Sequence, residues 1–264
     1  MLVRTRIAIH GAAGRMGRRL IALAAEDAQL SIVAAVDAPD HPRLDTDAGT
    51  LAGIEPIGVP VTGELDVAAD VIVDFSLPEP GEKIIDLCLE RKIPLVSATT
   101  GFDQRQTAKL LAAADEIPLL WSPNMSLAVN LTMKLAEIAA RALKDRDADV
   151  EIIERHHRFK EDAPSGTALK FGQIVAREMG QAEHRHGREG RLGARPRNEI
   201  GYHAVRIGDN PGEHVVVFGM LGETIELSVR ATNRDCYALG ALAAAKFIAK
   251  KPPGLYDMND VLEL

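Results

Sequence analysis

Aromatic residues, cysteines and long apolar runs are all scarce in this 264-residue chain, and each scarcity excludes a class of protein. One Trp, three Tyr and six Phe make up 4% of the sequence, which argues against a stacking platform for single-stranded nucleic acid. Cys88 and Cys236 lie far apart without a CxxC motif, so we expect neither a disulfide framework nor a cysteine-based zinc site. No apolar run approaches the roughly 18 residues of a membrane span.

The chain also has no excess of basic residues over acidic ones. The chain has 31 Lys and Arg against 38 Asp and Glu, a net charge of −7, so no generally basic surface exists for a phosphate backbone. The apolar stretch after Arg6 is interrupted at His10 and closed by Arg15, which is too short for the core of a signal peptide. We therefore expect a cytoplasmic protein with no membrane or nucleic-acid partner, built as two domains or one large one.

Through the first half, short apolar runs alternate with helical patterns. The pattern predicts strands at 6–10, 31–37, 71–76, 94–100 and 118–121, with helices at 18–28, 80–91 and 103–115. Strand and helix in this rhythm indicate βαβ units and a parallel sheet. The weakly periodic stretch 38–66 is predicted to be mostly loop, with room for one short strand.

The sequence pattern of the second half differs from that of the first and is typical of an α+β domain. A long helix is predicted at 126–143, a strand at 150–154 and a helix whose N-cap is Ser165. After a polar, Arg/Gly-rich loop at 181–198, alternating segments near 200–207, 213–219 and 223–231 favour antiparallel pairing, and a helix at 235–250 closes the chain.

A glycine turn follows the first strand and opens the first helix. Gly11, Gly14 and Gly17 allow a tight turn and close approach to a pyrophosphate, and Asp37 ends the second strand 20 residues later, where an acid binds the adenosine ribose. The GxxGxxG spacing differs from GxGxxG, so a ligand-free turn is the alternative. A carboxylate at this position repels a 2′-phosphate, which predicts a preference for NADH and leaves NADPH use open.

Two further polar segments follow predicted strands at their carboxyl ends, where open α/β sheets bind ligands. They are Thr99-Thr100-Gly101 and Ser122-Pro123-Asn124-Met125.

The segment Glu154–Ala168 is the most informative stretch. A strand leads into His156, His157 and Lys160, and then a helix starts at Ser-Gly-Thr, whose N–H groups and Thr167 hydroxyl suit an anion. Lys and His side chains supply charge and a proton near neutral pH. This chemistry fits the binding of a small carboxylate that is protonated as a hydride arrives.

Three other interpretations of the basic residues carry less weight. A solvated basic loop without function is the plainest alternative. A metal site that adds His184 and His186 is disfavoured, because adjacent histidines on a strand point to opposite faces and no Cys or carboxylate spacing supports zinc. An RNA patch built from the five arginines at 185–197 conflicts with the net charge and with the lack of interleaved aromatic residues.

Several motifs together resemble the dihydrodipicolinate reductase family. They are Gly11-Ala-Ala-Gly-Arg-Met-Gly17, Ala98-Thr-Thr-Gly-Phe102, Ser122-Pro-Asn-Met-Ser126, the Glu154–Ala168 block, Val205-Arg-Ile-Gly-Asp209, Gly212-Glu-His214 and Arg234. The resemblance runs in order along essentially the whole chain. It implies reduction of a cyclic imine dicarboxylate with NADH or NADPH, in lysine and diaminopimelate biosynthesis, by a homotetramer.

The resemblance also implies a fold and a set of site residues. The expected fold class is α/β: a Rossmann-like parallel sheet domain, 1–126 with 237–264, plus a central α+β domain, 127–236, with a mostly antiparallel or mixed sheet for substrate binding and oligomerisation. His156 and Lys160 would be catalytic, as the acid/base residue and the proton donor; the residues alone leave open which delivers the final proton. The substrate carboxylates would be held by His157, Gly166 and Thr167. The cofactor would be lined by Gly11, Ala12, Ala13, Gly14, Arg15, Met16, Asp37, Ala98, Thr99, Thr100, Ser122, Pro123, Asn124 and Met125, with no metal.

Two positions depart from the family pattern. Many relatives have Glu then Arg where this chain has Asp37 and Ala38, which bears on NADPH use, and Ala98 stands where glycine is common. Two other functions remain open: a dehydrogenase of the aspartate or homoserine type with the same architecture, and a non-catalytic NAD-binding regulator.

Overall fold

The computed structural model describes residues 4–264, which form two compact units. The first contains the chain up to Leu127 together with Asp235–Leu264, and the second is Ala128–Arg234. The boundaries drawn from the sequence lie within two residues of these. The dinucleotide and substrate roles given to the two domains stay predictions.

The helices and strands are numbered in chain order. They are β1 (Thr5–His10), α1 (Arg15–Glu26), β2 (Leu30–Val36), α2 (Ala48–Ala52), β3 (Val61–Thr62), β4 (Val71–Asp74), α3 (Pro78–Arg91), β5 (Leu95–Ser97), α4 (Gln104–Ala113), β6 (Pro118–Trp121), α5 (Leu127–Leu143), β7 (Asp149–His156), α6 (Gly166–Met179), β8 (Glu183–His186), β9 (Glu199–Arg206), β10 (Glu213–Met220), β11 (Glu223–Arg230), α7 (Asp235–Ile248), β12 (Gly254–Tyr256) and α8 (Met258–Leu262).

The first unit is built on a seven-stranded sheet in the order β3-β2-β1-β4-β5-β6-β12, and every pairing in it is parallel. Alternate residues of β1 point to opposite faces. Ile7 and Ile9 share a buried core with Ala241 of α7 and with α1, whereas Ala8 shares one with Ile85 of α3 and with α4. Helices therefore cover both faces, and the predicted Rossmann-like α/β fold is confirmed.

The second unit holds a five-stranded mixed sheet in the order β11-β10-β7-β9-β8. Val150 and Ile152 of β7 pack with Phe171 of α6 and with α5, so the helices cover one face. The predicted antiparallel pairing is found for β10 with β11. β9 does not pair with β10: β7 lies between them, antiparallel to β10 and parallel to β9. The crossover through α6 explains this difference, because a parallel pair needs a connection of about a dozen residues or more.

The structure adds short elements where the sequence predicts mostly loop or nothing. The stretch 38–66 contains α2, whose N-cap Asp47 accepts from the Thr50 N–H, and β3 is its short strand. The polar loop at 181–198 contains β8, and β12 and α8 follow residue 250. Both cysteines are free thiols. In the part of the chain described, no helix combines the length and apolarity that crossing a membrane demands.

Candidate functional site

Close backbone packing shapes the glycine turn between β1 and α1. Gly11 has a φ of +77°, and a Cβ there would lie 2.8 Å from the Phe75 carbonyl oxygen. A Cβ on Gly17 would lie 2.2 Å from the Gly11 carbonyl oxygen and 2.6 Å from Ala12 Cα. Since these neighbours are main-chain atoms, the turn requires glycine at both positions.

No side chain at the N-cap or in the first turn of α1 neutralises the positive end of the helix dipole. Gly14 is the N-cap and supplies no side-chain hydrogen bond, and the first turn contains no acidic residue. Arg15 and Arg18 lie there instead, where the helix dipole disfavours cations. Free N–H groups beside two arginines make this helix start complementary to an anion such as a pyrophosphate.

Asp37 follows β2 and ties the turn to the end of that strand. Its Oδ2 accepts from the Ala13 N–H at 2.8 Å, and its Oδ1 accepts from the Ala38 N–H at 2.9 Å. A carboxylate has about four lone-pair positions, so capacity for a ribose hydroxyl remains. The structure thus brings Asp37 and the predicted turn residues 11–16 together.

Asp74, a residue that sequence reasoning missed, joins three loops at the same sheet edge. This carboxylate is 0% exposed and accepts from His10 Nδ1 at 2.8 Å, from Thr99 Oγ1 at 2.7 Å and from the Ser76 N–H at 3.1 Å. Burial alone would raise the pKa of Asp74, but these hydrogen bonds together hold it below its usual value. The sequence signal that could have identified Asp74 is an acidic residue at the end of an otherwise apolar strand.

The loops after β5 and β6 lie side by side. The Trp121 indole N–H donates to the Thr99 carbonyl at 3.2 Å, and the Ser122 hydroxyl donates to the Asn124 carbonyl at 2.8 Å. The side chains of Ala12 and Met125 are buried in the core, so these two residues offer a ligand their main chain. The glycine cradle, the free helix start and Asp37 fit a dinucleotide.

In the second unit, one face of β7 carries both a buried acid and a buried histidine. Residues two apart on a strand share a face, and His156 Nδ1 lies 2.5 Å from Glu154 Oε2. An ionised carboxylate only accepts, so Nδ1 carries the proton. Burial lowers the pKa of His156 and outweighs the opposite effect of Glu154. The lowered pKa favours the neutral form of the imidazole.

Arg206, at the end of β9, neutralises Glu154 with two parallel hydrogen bonds. Its two terminal nitrogens donate to Oε1 and Oε2, each at 2.8 Å, the fork geometry that arginine prefers with carboxylates. Burial alone would raise the pKa of Glu154, but Arg206 and His156 hold it below its usual value. Glu154 therefore stays ionised although it is 1% exposed.

Lys160 reaches the same cluster through Asp162. Its Nζ donates to Asp162 Oδ1 at 2.6 Å, which lowers the pKa of Asp162, and Arg206 donates to the Asp162 carbonyl at 2.6 Å. The structure thus links Lys160, Arg206, Glu154 and His156 through a continuous set of contacts.

The start of α6 completes this site. Ser165 is the N-cap, as predicted, and its Oγ accepts from the Ala168 N–H, while its own N–H donates to Glu154 Oε1 at 3.1 Å. Gly166 and Thr167 are the first two helical residues. His214 Nε2 lies 2.9 Å from Ser165 Oγ, and burial lowers the pKa of His214 to about 4.

His157 differs from the other predicted site residues. It directly follows β7, and its Nδ1 is a buried atom that has no hydrogen-bond partner within residues 4–264. No group of three or more His, Cys, Asp or Glu side chains in the described chain is arranged to hold a metal ion. Glu154, Arg206 and His214 lie in the resemblance motifs, yet sequence reasoning gave them no role.

Comparisons with known proteins agree with one another. Two family models match the chain, described as dihydrodipicolinate reductase, N-terminus (residues 5–125) and C-terminus (residues 128–262). A 4-hydroxy-tetrahydrodipicolinate reductase from Rhodopirellula baltica is 54% identical over 97% of this chain and 95% of its own, and one from Alkalilimnicola ehrlichii is 51% identical over 98% and 99%.

Solved structures match the fold. A dipicolinate-bound dihydrodipicolinate reductase from a Paenisporosarcina species has a TM-score of 0.78 at 27% identity and covers 97% of this chain and 98% of its own. An amine dehydrogenase from Mycobacterium smegmatis reaches a TM-score of 0.67 at 11% identity over 97% and 95%, which reflects the fold alone.

Proposed function

This chain belongs to the dihydrodipicolinate reductase family, and we propose that its first unit binds the nicotinamide cofactor and its second unit binds the substrate. Its reaction is the NAD(P)H-dependent reduction of 4-hydroxy-tetrahydrodipicolinate to tetrahydrodipicolinate, in diaminopimelate and lysine biosynthesis. The observation that supports this assignment of sites best is the cluster of His156 and Lys160 at the start of α6.

The edge of the parallel sheet holds the cofactor in this proposal. The main chain of residues 11–16 and the start of α1 bind the pyrophosphate, and Asp37 accepts from the adenosine ribose. Residues 98–100 and 122–125 line the remainder of the dinucleotide. When bound, NAD(P)H supplies a hydride to C4 of the substrate ring.

The start of α6 holds the substrate. A cyclic dicarboxylate needs two anion-binding groups, and the N–H groups of Gly166 and Thr167 supply one where the helix dipole favours negative charge. His157, whose Nδ1 is without a partner in the described chain, supplies donor capacity for the other.

Lys160 delivers the final proton in this mechanism. The C4 hydroxyl leaves as water with a proton from the adjacent ring carbon, and the resulting conjugated imine is protonated on nitrogen to an iminium. Hydride addition at C4 gives an enamine, the adjacent ring carbon takes one proton, and loss of the N–H proton gives tetrahydrodipicolinate. Lys160 is the proton donor in this proposal, because burial lowers the pKa of His156 and so favours its neutral imidazole. His156 accepts a hydrogen bond or a proton through Nε2.

A coupled assay tests the proposal directly. The substrate is generated in situ from pyruvate and aspartate semialdehyde, and oxidation of NADH is followed. We expect NADH oxidation that depends on both precursors, and no reduction of NAD⁺ when aspartate or homoserine is supplied instead. Cofactor binding without oxidation of NADH would favour the non-catalytic regulator and overturn the catalytic roles.

Asp37 sets the cofactor preference in this proposal. We expect kcat/KM to be higher with NADH than with NADPH, because the carboxylate binds the 2′-hydroxyl and repels a 2′-phosphate. Asp37→Asn removes the negative charge and should bring kcat/KM with NADPH closer to kcat/KM with NADH. Steady-state kinetics with both cofactors measures it, and Asp40→Asn, an exposed acid nearby, is the matched control. A tenfold advantage for NADPH in the unmodified enzyme would contradict the preference.

We further propose a cytoplasmic homotetramer that assembles through the second unit. The face of its sheet opposite α5 and α6 carries the half-buried apolar residues Ile153, Val215 and Val217, which no helix of that unit covers. Light scattering should give four times the 28.5 kDa mass of one chain. A monomer at micromolar concentration would contradict the tetramer.

A further inference from the structure

Glu154 connects three separate segments through its two carboxylate oxygens. Oε2 lies 2.5 Å from His156 Nδ1, and Oε1 accepts from the N–H of Ser165, the N-cap of α6, at 3.1 Å. Arg206 of β9 donates to both oxygens at 2.8 Å. The side chain is 1% exposed, so Glu154 offers a substrate no surface and acts only through its neighbours.

The hydrogen-bonding capacity of the carboxylate decides the state of the imidazole. Because Glu154 can only accept, the neutral His156 ring must carry its proton on Nδ1 and leave Nε2 as the acceptor. The charged and titratable groups around the ring are Lys160 and Asp162 from the loop after β7, Arg206 from β9 and His214 from β10. Without the carboxylate, the cations among these would disfavour an imidazolium.

We infer that Glu154 is a positioning residue of the reductase: it fixes the Nδ1-protonated tautomer of His156 and holds the start of α6 beside that ring. The inference rests on the proposed function for the roles of His156, Gly166 and Thr167. It assigns Glu154 no contact with substrate or cofactor.

Nitrogen-15 NMR of the unmodified protein tests the tautomer without any turnover. The ring signals of His156, identified by their loss in His156→Gln, should show a protonated Nδ1 and an unprotonated Nε2 above the His156 titration. A neutral ring protonated on Nε2 would overturn the inference. The spectrum needs no variant of Glu154, so it decides the question even if such a variant fails to fold.

Glu154→Gln tests the effect on the reaction. An amide can present its NH₂ group to Nδ1 and so favour the other tautomer of His156. Loss of the partner that orients a metal-ligating histidine costs about 10- to 100-fold, and we expect an effect on the same scale here. We expect kcat to fall about 10²-fold and the Nδ1–H population to drop. KM should rise far less than kcat falls, and the acid limb of the kcat/KM profile should move to lower pH, because an acceptor that favours the imidazolium is lost.

Glu199→Gln is the matched control. Glu199 is also buried, at 2% exposure, pairs with Arg185 and Arg188 and lies in the neighbouring strand of the same sheet. Normal kcat, pH profile and tautomer in a folded Glu154→Gln enzyme would overturn the inference and leave the proposed function intact. An unmodified enzyme that fails the coupled assay would overturn the proposed function, whereas the NMR measurement would still test the tautomer.

Discussion

Lys160→Ala is expected to lower kcat by about 10²-fold or more, and His156→Ala by a similar factor, which is the scale of a lost general acid or base. Lys160 Nζ lies 2.6 Å from Asp162 Oδ1, and hydrogen bonds through Asp162, Arg206 and Glu154 connect it to His156. Removal of the amine takes away the proton carrier, and removal of the imidazole takes away the group that Glu154 orients. The coupled assay measures both effects.

Control measurements distinguish a loss of catalysis from a loss of folding. Lys170→Ala, an exposed lysine on α6, should retain normal kcat, and circular dichroism should show all three variants folded. Methylammonium added to Lys160→Ala should restore part of the activity, because it supplies the missing acid, and it should not rescue His156→Ala. If both variants keep near-normal kcat while folded, the catalytic roles are wrong.

Gly17→Ala is expected to destabilise the first unit by about 3 kcal/mol, at the upper end of the usual cost of overpacking. Helix propensity predicts the opposite sign, since alanine in a helix is about 1 kcal/mol better than glycine. Packing decides, because the new Cβ would meet the Gly11 carbonyl oxygen at 2.2 Å and Ala12 Cα at 2.6 Å. Displacement of this turn should also weaken NADH binding by at least about tenfold, or 1.4 kcal/mol.

Urea unfolding and fluorescence titration with NADH measure the two effects. Ala25→Gly, an exchange on the exposed side of the same helix, should cost only about 1 kcal/mol and leave NADH binding unchanged. A Gly17→Ala protein more stable than the unmodified one would show that the turn accommodates a methyl group.

The parallel sheet was predictable because each of its main strands is a short apolar run followed by a helix. The order of the strands in the second sheet was not predictable from the sequence. The alternating pattern of β9 and β10 and the turn between them favour a hairpin, yet β7 lies between them. Periodicity specifies which residues share a face, but it does not specify which strand is the neighbour. All four residues of strand β8 are exposed, so its sequence lacks the alternation of apolar and polar residues by which a half-buried strand is predicted.

The sequence is likewise limited in what it predicts about the site, because it does not specify which strands are neighbours. The pairing of Glu154 with His156 follows from a spacing of two on one strand, so the sequence contains it. Arg206 and Ser165 reach Glu154 only because β9 lies beside β7 and α6 starts at its end. Asp74 meets His10 through the β1–β4 pairing, 64 residues apart in sequence. These contacts depend on topology, which motifs alone do not give.

The position of α7 has a consequence for biosynthesis of the chain. The helix returns to the first unit after the second is complete, and Ala241 and Ile248 fill the core around Ile7 and Leu20. The ribosome therefore adds the whole of Ala128–Arg234 before it adds the residues that close the first core. The core of the first unit is complete only after the second unit has been synthesised, so the earliest part of the chain depends on one of the latest parts for its stability.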